Sequence, residues 1–347
     1  MQKNLLERYG VLALVATLAA SIVTGCGRDT ASSAVATIGI AYDIGGRSQP
    51  GFNQLAYLGV KPLLDANENL KLVEAQASSS ETDDVCAERL RRMADSGVNP
   101  IIAVGFRYEA PLTKVAAEFP DVKFGIVDGG TVVASNVKGI LFKEEEGSYL
   151  VGVAAALKSK TGNIGFIGGV RIPLIQKFEA GYTAGAKAVN ARIKVQATYI
   201  TNLPDSGGFN DPVMGKEVAL GMFQNGADVI YSAAGNTGVG VHQAAFEQKK
   251  MSIGVDADEY LYESNSAWKS AIITSMLKRV DTGCRKFIDD LLAGTFISGN
   301  EVFGYANDGV GYATSGGMID DIKSRIDEYG AKIASGEITV PSVPEGD

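Results

Sequence analysis

The stretch Tyr42-Asp43-Ile44-Gly45-Gly46-Arg47-Ser48-Gln49-Pro50-Gly51-Phe52-Asn53-Gln54 decides the fold. An apolar, β-branched run, Val35 to Ile40, precedes it, and a helical pattern of Leu55, Leu58, Gly59, Leu63 and Leu64 follows. It therefore reads as the loop at the carboxyl end of a first strand, feeding a helix. In open α/β sheets that crevice is where ligands bind. The loop offers an acid, glycines that let backbone approach a ligand, an aromatic ring and an amide.

Outward from this loop, strands and helices alternate. Strand-like runs lie at 37–42, 71–74, 100–104, 123–127 and 137–142, with helical patterns at 51–67, 83–96 and 110–118. A second series has strands at 163–167, 194–199, 228–232 and 251–254, with helices at 178–191, 208–225 and 238–248. Short strands separated by helices predict βαβ units and parallel sheets. The two series follow one plan. Phe52 to Gly59 and Phe178 to Gly185 are both seven residues; Gly105 to Asp128 is twenty-three and Gly235 to Asp256 is twenty-one. Two facing lobes would bring Phe52 opposite Phe178, and Asp128 near Asp256. An aromatic pair can sandwich a flat ring, and carboxylates accept hydrogen bonds from hydroxyls. Taken singly, these residues fit core and strand-end roles; taken as a matched set they define a cleft. A third segment carries a strand near 270–276, a helix at 278–293, closing strands at 302–305 and 309–312, and a last helix at 318–335. Chain crossing between lobes in this way forms a hinge of several strands.

The 347 residues suit two domains, and 46% apolar content supplies their cores. A net charge of −8 without a long basic run argues against a nucleic-acid partner. Lys3 and Arg8 flank an apolar stretch, Val11 to Val23, that ends in Val23-Thr24-Gly25-Cys26. This reads as a secretory leader. Cys86 and Cys284 remain; export permits a disulfide, and two separate buried thiols are the alternative. His242, the one histidine, has polar neighbours on a helical pattern and reads as a solvated or half-buried face residue. No Cys/His cluster suggests a metal, and no cofactor is expected.

The ending Val-Thr-Gly-Cys resembles a bacterial lipobox, which implies cleavage before Cys26 and a lipid on its thiol. More widely, the chain resembles the basic membrane protein family of ABC-transporter substrate-binding lipoproteins, a group that includes purine nucleoside receptors. Asp43, Gly45, Gly46, Phe52 and Asn53 match the family's first loop, while Gln49 and Gly51 replace its second Asp and its Ser. Gly105-Phe106, Val127-Asp128, Lys177 to Tyr182, Ala234 to Gly238, Gly254 to Asp258 and Ser275 to Asp281 match further motifs. The resemblance implies a type I periplasmic-binding-protein fold: two doubly wound parallel-sheet α/β lobes on a multi-strand hinge. It implies a leader at 1–25 and a tether at 26–34. The first lobe would take 35–141 plus about 275–298, the second 142–274 plus about 299–335, and a tail 336–347. Phe52 and Phe178 would stack on the base, with Asn53 at its edge and Asp43 in the same loop. Asp128 would lie in the cleft, Asp256 would hold ribose hydroxyls, Gly235 would present backbone, and Lys278 would be a polar contact beside the hinge; its plainer reading is a helix-start lysine paired with Asp281. The implied function is capture of a purine nucleoside by a monomer anchored outside the cell membrane, for delivery to an ABC permease and its ATPase. An enzyme is disfavoured, because no Walker stretch and no nucleophile–base pair is visible. A sensory lipoprotein, or a receptor for a sugar, nucleobase or flavin, stays open.

Overall fold

The computed structural model describes residues 37–78 and 81–346. The leader, Cys26 and the tether lie outside the described residues. In chain order the elements are β1 (Thr37–Tyr42), α1 (Phe52–Ala66), β2 (Lys71–Gln76), α2 (Asp83–Asp95), β3 (Ile101–Val104), α3 (Glu109–Glu118), β4 (Phe124–Val127), β5 (Val137–Phe142), α4 (Glu144–Lys158), β6 (Asn163–Arg171) and α5 (Pro173–Val189). The chain continues through β7 (Lys194–Asn202), α6 (Pro212–Gln224), β8 (Val229–Ala233), α7 (Gly238–Glu247), β9 (Met251–Asp256), β10 (Ile272–Lys278), α8 (Val280–Leu292), β11 (Gly299–Phe303), β12 (Val310–Tyr312) and α9 (Lys323–Ala334).

Two six-stranded sheets result, ordered β2-β1-β3-β4-β5-β11 and β7-β6-β8-β9-β10-β12. All pairings are parallel except β10 with β12. The central strands β3, β4 and β8 are buried at every residue, as parallel strands covered by helices on both faces must be. Local chemistry sets several helix starts. Thr82 Oγ1 accepts from the Val85 amide at the head of α2, and Asp211 accepts from the Met214 amide ahead of Pro212 in α6.

The duplication read from the sequence is present in the backbone. Each lobe's third strand ends in a positive-φ glycine, Gly105 or Gly235, and then one short 3-10 turn. Each fourth strand ends in an aspartate held left-handed, Asp128 at φ 63° and Asp256 at φ 65°. Gly59 and Gly185 each sit at a close helix–helix contact. A Cβ on Gly59 would meet the Asp281 carbonyl oxygen at 2.3 Å, and one on Gly185 the Tyr149 oxygen at 2.0 Å. Only a missing side chain lets α1 lie against α8, and α5 against α4, this closely.

Those contacts reveal what the sequence reading omitted. It placed no helix between 142 and 163, where α4 runs. Eleven of its fifteen residues are buried, so it lacks the polar stripe that makes a helical period visible. The lobe boundaries also need correction. β10 pairs with β9, so 275–278 belongs to the second sheet; α8 packs against α1 of the first lobe. β11 pairs with β5 and extends the first sheet, although 299–303 was assigned to the second lobe. A short edge strand such as Gly-Asn-Glu-Val-Phe carries no mark of which sheet it joins.

The chain passes between the sheets three times: at Lys143, at Arg279, and across 304–309. Neighbouring crossings are laced together. Lys143 N donates to the Phe303 oxygen and Arg279 N to the Gly309 oxygen, both at 2.9 Å, and Tyr305 N donates to Glu146 Oε2 at 2.7 Å.

Candidate ligand-binding site

The carboxyl ends of β1, β3 and β4 face those of β6, β8, β9 and β10 across one cavity. All eight residues singled out in the sequence line it: Asp43, Phe52, Asn53 and Asp128 from the first lobe, and Phe178, Gly235, Asp256 and Lys278 from the second. The cavity volume is about 140 Å³.

Lys278 is the centre of the inner wall. It ends β10 rather than starting a helix, and it is 2% exposed. Its Nζ lies 2.7 Å from Asp128 Oδ2 across the lobe boundary and 3.0 Å from Glu144 Oε1. Glu144 Oε2 in turn lies 3.0 Å from Lys177 Nζ. Asp281, the helix-start partner, pairs with Arg279 instead. Burial works against the Lys278 charge, yet Asp128, Glu144 and Asp256 carry its pKa well above the ordinary lysine range. The same ammonium sits over three ring faces, at 5.2 Å from the Phe52 centroid, 5.3 Å from Phe142 and 5.7 Å from Phe178. The two rings singled out in the sequence are thus each within 6 Å of one nitrogen, one from either lobe. Phe52 is half-buried, whereas Phe178 is 3% exposed and is also a core residue.

Two carboxylates keep acceptor capacity. Asp128 Oδ1 is buried without a hydrogen-bond partner, and no side-chain donor reaches Asp256 among the described residues. Burial pushes Asp256 up to about 7, with Lys278 pulling the other way. Burial likewise lifts Asp128 to about 6 against the pull of Lys278. Both aspartates occupy the left-handed conformation that non-glycine residues rarely adopt, a strain that recurs at ligand clamps.

Asn53, which the resemblance places at the base edge, is bonded to its own loop here. Its Oδ1 accepts from Asp43 N at 3.2 Å, and its Nδ2 donates to the Ile44 oxygen at 3.0 Å and the Asp43 oxygen at 3.4 Å. Both ends of the amide are engaged with the loop backbone, so Asn53 sets the curve of the loop in this structure.

Other lining residues escaped the sequence reading. Behind the lining, Glu144 supports Lys278 from the buried start of α4, a segment in which the sequence shows no sign of a site. Tyr262 reaches across to the first lobe, its hydroxyl 3.6 Å from where a Cβ on Gly51 would stand. Arg107, Phe209 and Ser264 sit on turns without period. His242 is a correction: it is fully buried, its Nδ1 2.9 Å from Ser252 Oγ and its Nε2 2.8 Å from Glu259 Oε2. Its face of α7 packs on β9 and on the turn carrying Glu259, which polar neighbours in sequence could not reveal. Cys86 and Cys284 are separate, buried, free thiols. Among the described residues no acidic, His or Cys group could hold a metal ion, and no helix is long and apolar enough to cross a membrane.

Comparison with known proteins agrees with this geometry. The CD4+ T-cell-stimulating antigen of Listeria innocua is 33% identical over 363 aligned residues, covering 97% of this chain and 99% of that protein. The ABC transporter nucleoside-binding protein BmpA of Lactococcus lactis is 31% identical, with the same coverage of 97% and 99%. Among solved structures, an ABC-transporter solute-binding protein from Aeropyrum pernix K1 superposes with a TM-score of 0.76 at 27% identity, over 90% of this chain and 94% of that one. A family model described as ABC transporter substrate-binding protein PnrA-like matches residues 37–343. Two doubly wound lobes, a largely apolar cavity between them with charged groups on its inner wall, and these likenesses lead to one conclusion: the chain belongs to the PnrA-like family of ABC-transporter substrate-binding proteins.

Proposed function

We propose that this substrate-binding protein captures a purine nucleoside between its lobes and hands it to an ABC permease driven by an ATPase, while tethered outside the membrane through lipid on Cys26 and acting as a monomer. The observation that carries the reading is the convergence of Phe52 and Phe178, one ring from each lobe, on Lys278, in a wall that also holds two carboxylates with unused acceptor capacity. A purine is flat and stacks on phenyl rings, and a ribose diol donates two hydrogen bonds to carboxylates. The nucleoside-binding name of the Lactococcus relative points the same way.

Calorimetric titration of the mature protein with inosine, guanosine, hypoxanthine, ribose and riboflavin tests the ligand. Nucleosides are expected to bind tighter than the free base by about tenfold or more, because each added charge-assisted hydrogen bond contributes roughly 1.5–3 kcal/mol. Binding of ribose alone more tightly than any nucleoside rejects the reading. Uptake of labelled nucleoside by cells with and without the gene separates transport from sensing: unchanged uptake in the deletion assigns a sensory role.

A further inference from the structure

The cavity has two polar ends that share no partner. At one end Asp128, Glu144 and Asp256 gather around Lys278. At the other, Asp43 and Arg107 stand beside an ion pair of Glu81 with Arg89. The first end supplies acceptors for hydroxyls. At the second, Asn53, the amide nearest in sequence, is engaged with its own loop.

Arg107 is the unusual member. It sits on the 3-10 turn after β3, at the point where the order of the first sheet reverses. Its Nη2 is fixed, donating to the Glu81 carbonyl oxygen at 2.9 Å. Its Nη1 is buried and has no hydrogen-bond partner among the described residues. Among the described residues no carboxylate lies within ion-pair distance of it; the Glu81 carboxylate is taken by Arg89, whose Nη1 also donates to the Tyr108 hydroxyl at 3.0 Å. Asp43 is near enough for Arg107 to act on its charge, but the two do not pair. Asp43 Oδ1 accepts from Ile44 N at 2.8 Å, and Oδ2 lies against Gly105, where a Cβ would approach it to 2.8 Å. The result is a fixed donor and an acceptor, side by side on one cavity wall and unjoined. A buried unpaired donor is costly, so this arrangement calls for a ligand group to complete it.

An anion is a poor match. Asp43 lines the cavity with Arg107, and Asp83 and Glu109 line the groove on its outer side, so a phosphate would enter acidic surroundings. A neutral carbonyl flanked by an N–H suits both groups at once. That is the lactam edge of a 6-oxopurine, with O6 as acceptor and N1–H as donor. Adenine presents the reverse order, an amino donor and an N1 acceptor, and would set donor against donor and acceptor against acceptor. We infer that Arg107, with Asp43, makes this receptor selective for 6-oxopurine nucleosides over adenosine. The inference rests on the nucleoside reading above and deepens it.

Inosine and adenosine differ only at that edge, so their affinity ratio is the readout. Calorimetry on the wild-type protein is expected to favour inosine by roughly ten- to a hundredfold, the range for one well-placed pair of base-edge hydrogen bonds. Arg107→Met removes the donors at similar side-chain length and should bring the ratio to within about threefold, chiefly by loss of inosine affinity. Arg107→Lys keeps a charge on a single donor nitrogen without the planar fork, and should fall between the two. Equal or tighter binding of adenosine by the wild type overturns the inference, as does an Arg107→Met or Arg107→Lys ratio equal to that of the wild type. Tighter binding of inosine 5′-monophosphate than of inosine also overturns it, and assigns Arg107 to an anion. Absence of binding to every nucleoside rejects the receptor reading itself, a result distinct from binding without preference.

Discussion

Replacement of Lys278 by methionine is expected to lower the unfolding free energy by about 3–5 kcal/mol, because it leaves a buried carboxylate without its counter-charge. The affected group is Asp128. Glu144 keeps Lys177 at 3.0 Å, whereas Asp128 is met by Lys278 alone, and its Oδ1 already lacks a partner. The ammonium and the Asp128 carboxylate are 2% and 4% exposed, so solvent screening offers little relief. The loss also has a functional side, since Lys278 of the second lobe and Asp128 of the first form a bond across the cleft. Urea denaturation of Lys278→Met beside the wild type measures the cost. A change under about 1 kcal/mol would mean that the pair is solvated in solution. Asp128→Asn in the Lys278→Met background should recover part of the loss, because it removes the stranded charge.

The second large effect concerns pH. Burial raises Asp256 to about 7 in the ligand-free protein. Hydroxyl donors favour the charged carboxylate, so a nucleoside that engages Asp256 lowers its pKa and expels its proton. Affinity is therefore highest above pH 7 and falls as the pH drops, approaching about tenfold for each unit while one proton is displaced. Stability of the ligand-free protein moves the opposite way for this group. Its folded pKa exceeds the unfolded value, so between those two values the native state binds more protons, and the contribution of Asp256 to stability diminishes as pH rises toward 7. Titrations with inosine from pH 5 to 8, in buffers of different ionisation enthalpy, should show proton release on binding. Asp256→Asn should flatten the profile at reduced affinity. A wild-type affinity that is level from pH 5 to 8 would show that the carboxylate does not meet the ligand.

Much of this molecule is legible in its sequence because it is written twice. The spacing of Gly105 to Asp128 and of Gly235 to Asp256 corresponds to the same structural positions in both lobes, whereas Phe52 opens α1 and Phe178 lies in the second turn of α5. That spacing locates the cavity before any distance is known. What the sequence conceals is of three kinds. Helix α4 is buried on nearly every side, so it shows no period, and nothing in it marks Glu144 as part of a site. The return strands β10 and β11 choose their sheets by long-range pairing that local pattern cannot encode. The state of each polar group depends on partners distant in the chain: His242 finds Ser252 and Glu259, Asn53 is consumed by its own loop, and Arg107 is left with a free donor.

The central claim is that one ring from each lobe holds the ligand's planar base. Inosine affinity of Phe52→Ala and of Phe178→Leu tests it most directly, the leucine being chosen because Phe178 is also core. Base stacking on an aromatic contributes about 1–3 kcal/mol, so each variant should bind inosine about five- to a hundredfold more weakly than the wild type while its thermal unfolding shows a folded protein. Wild-type affinity in either variant would contradict the account.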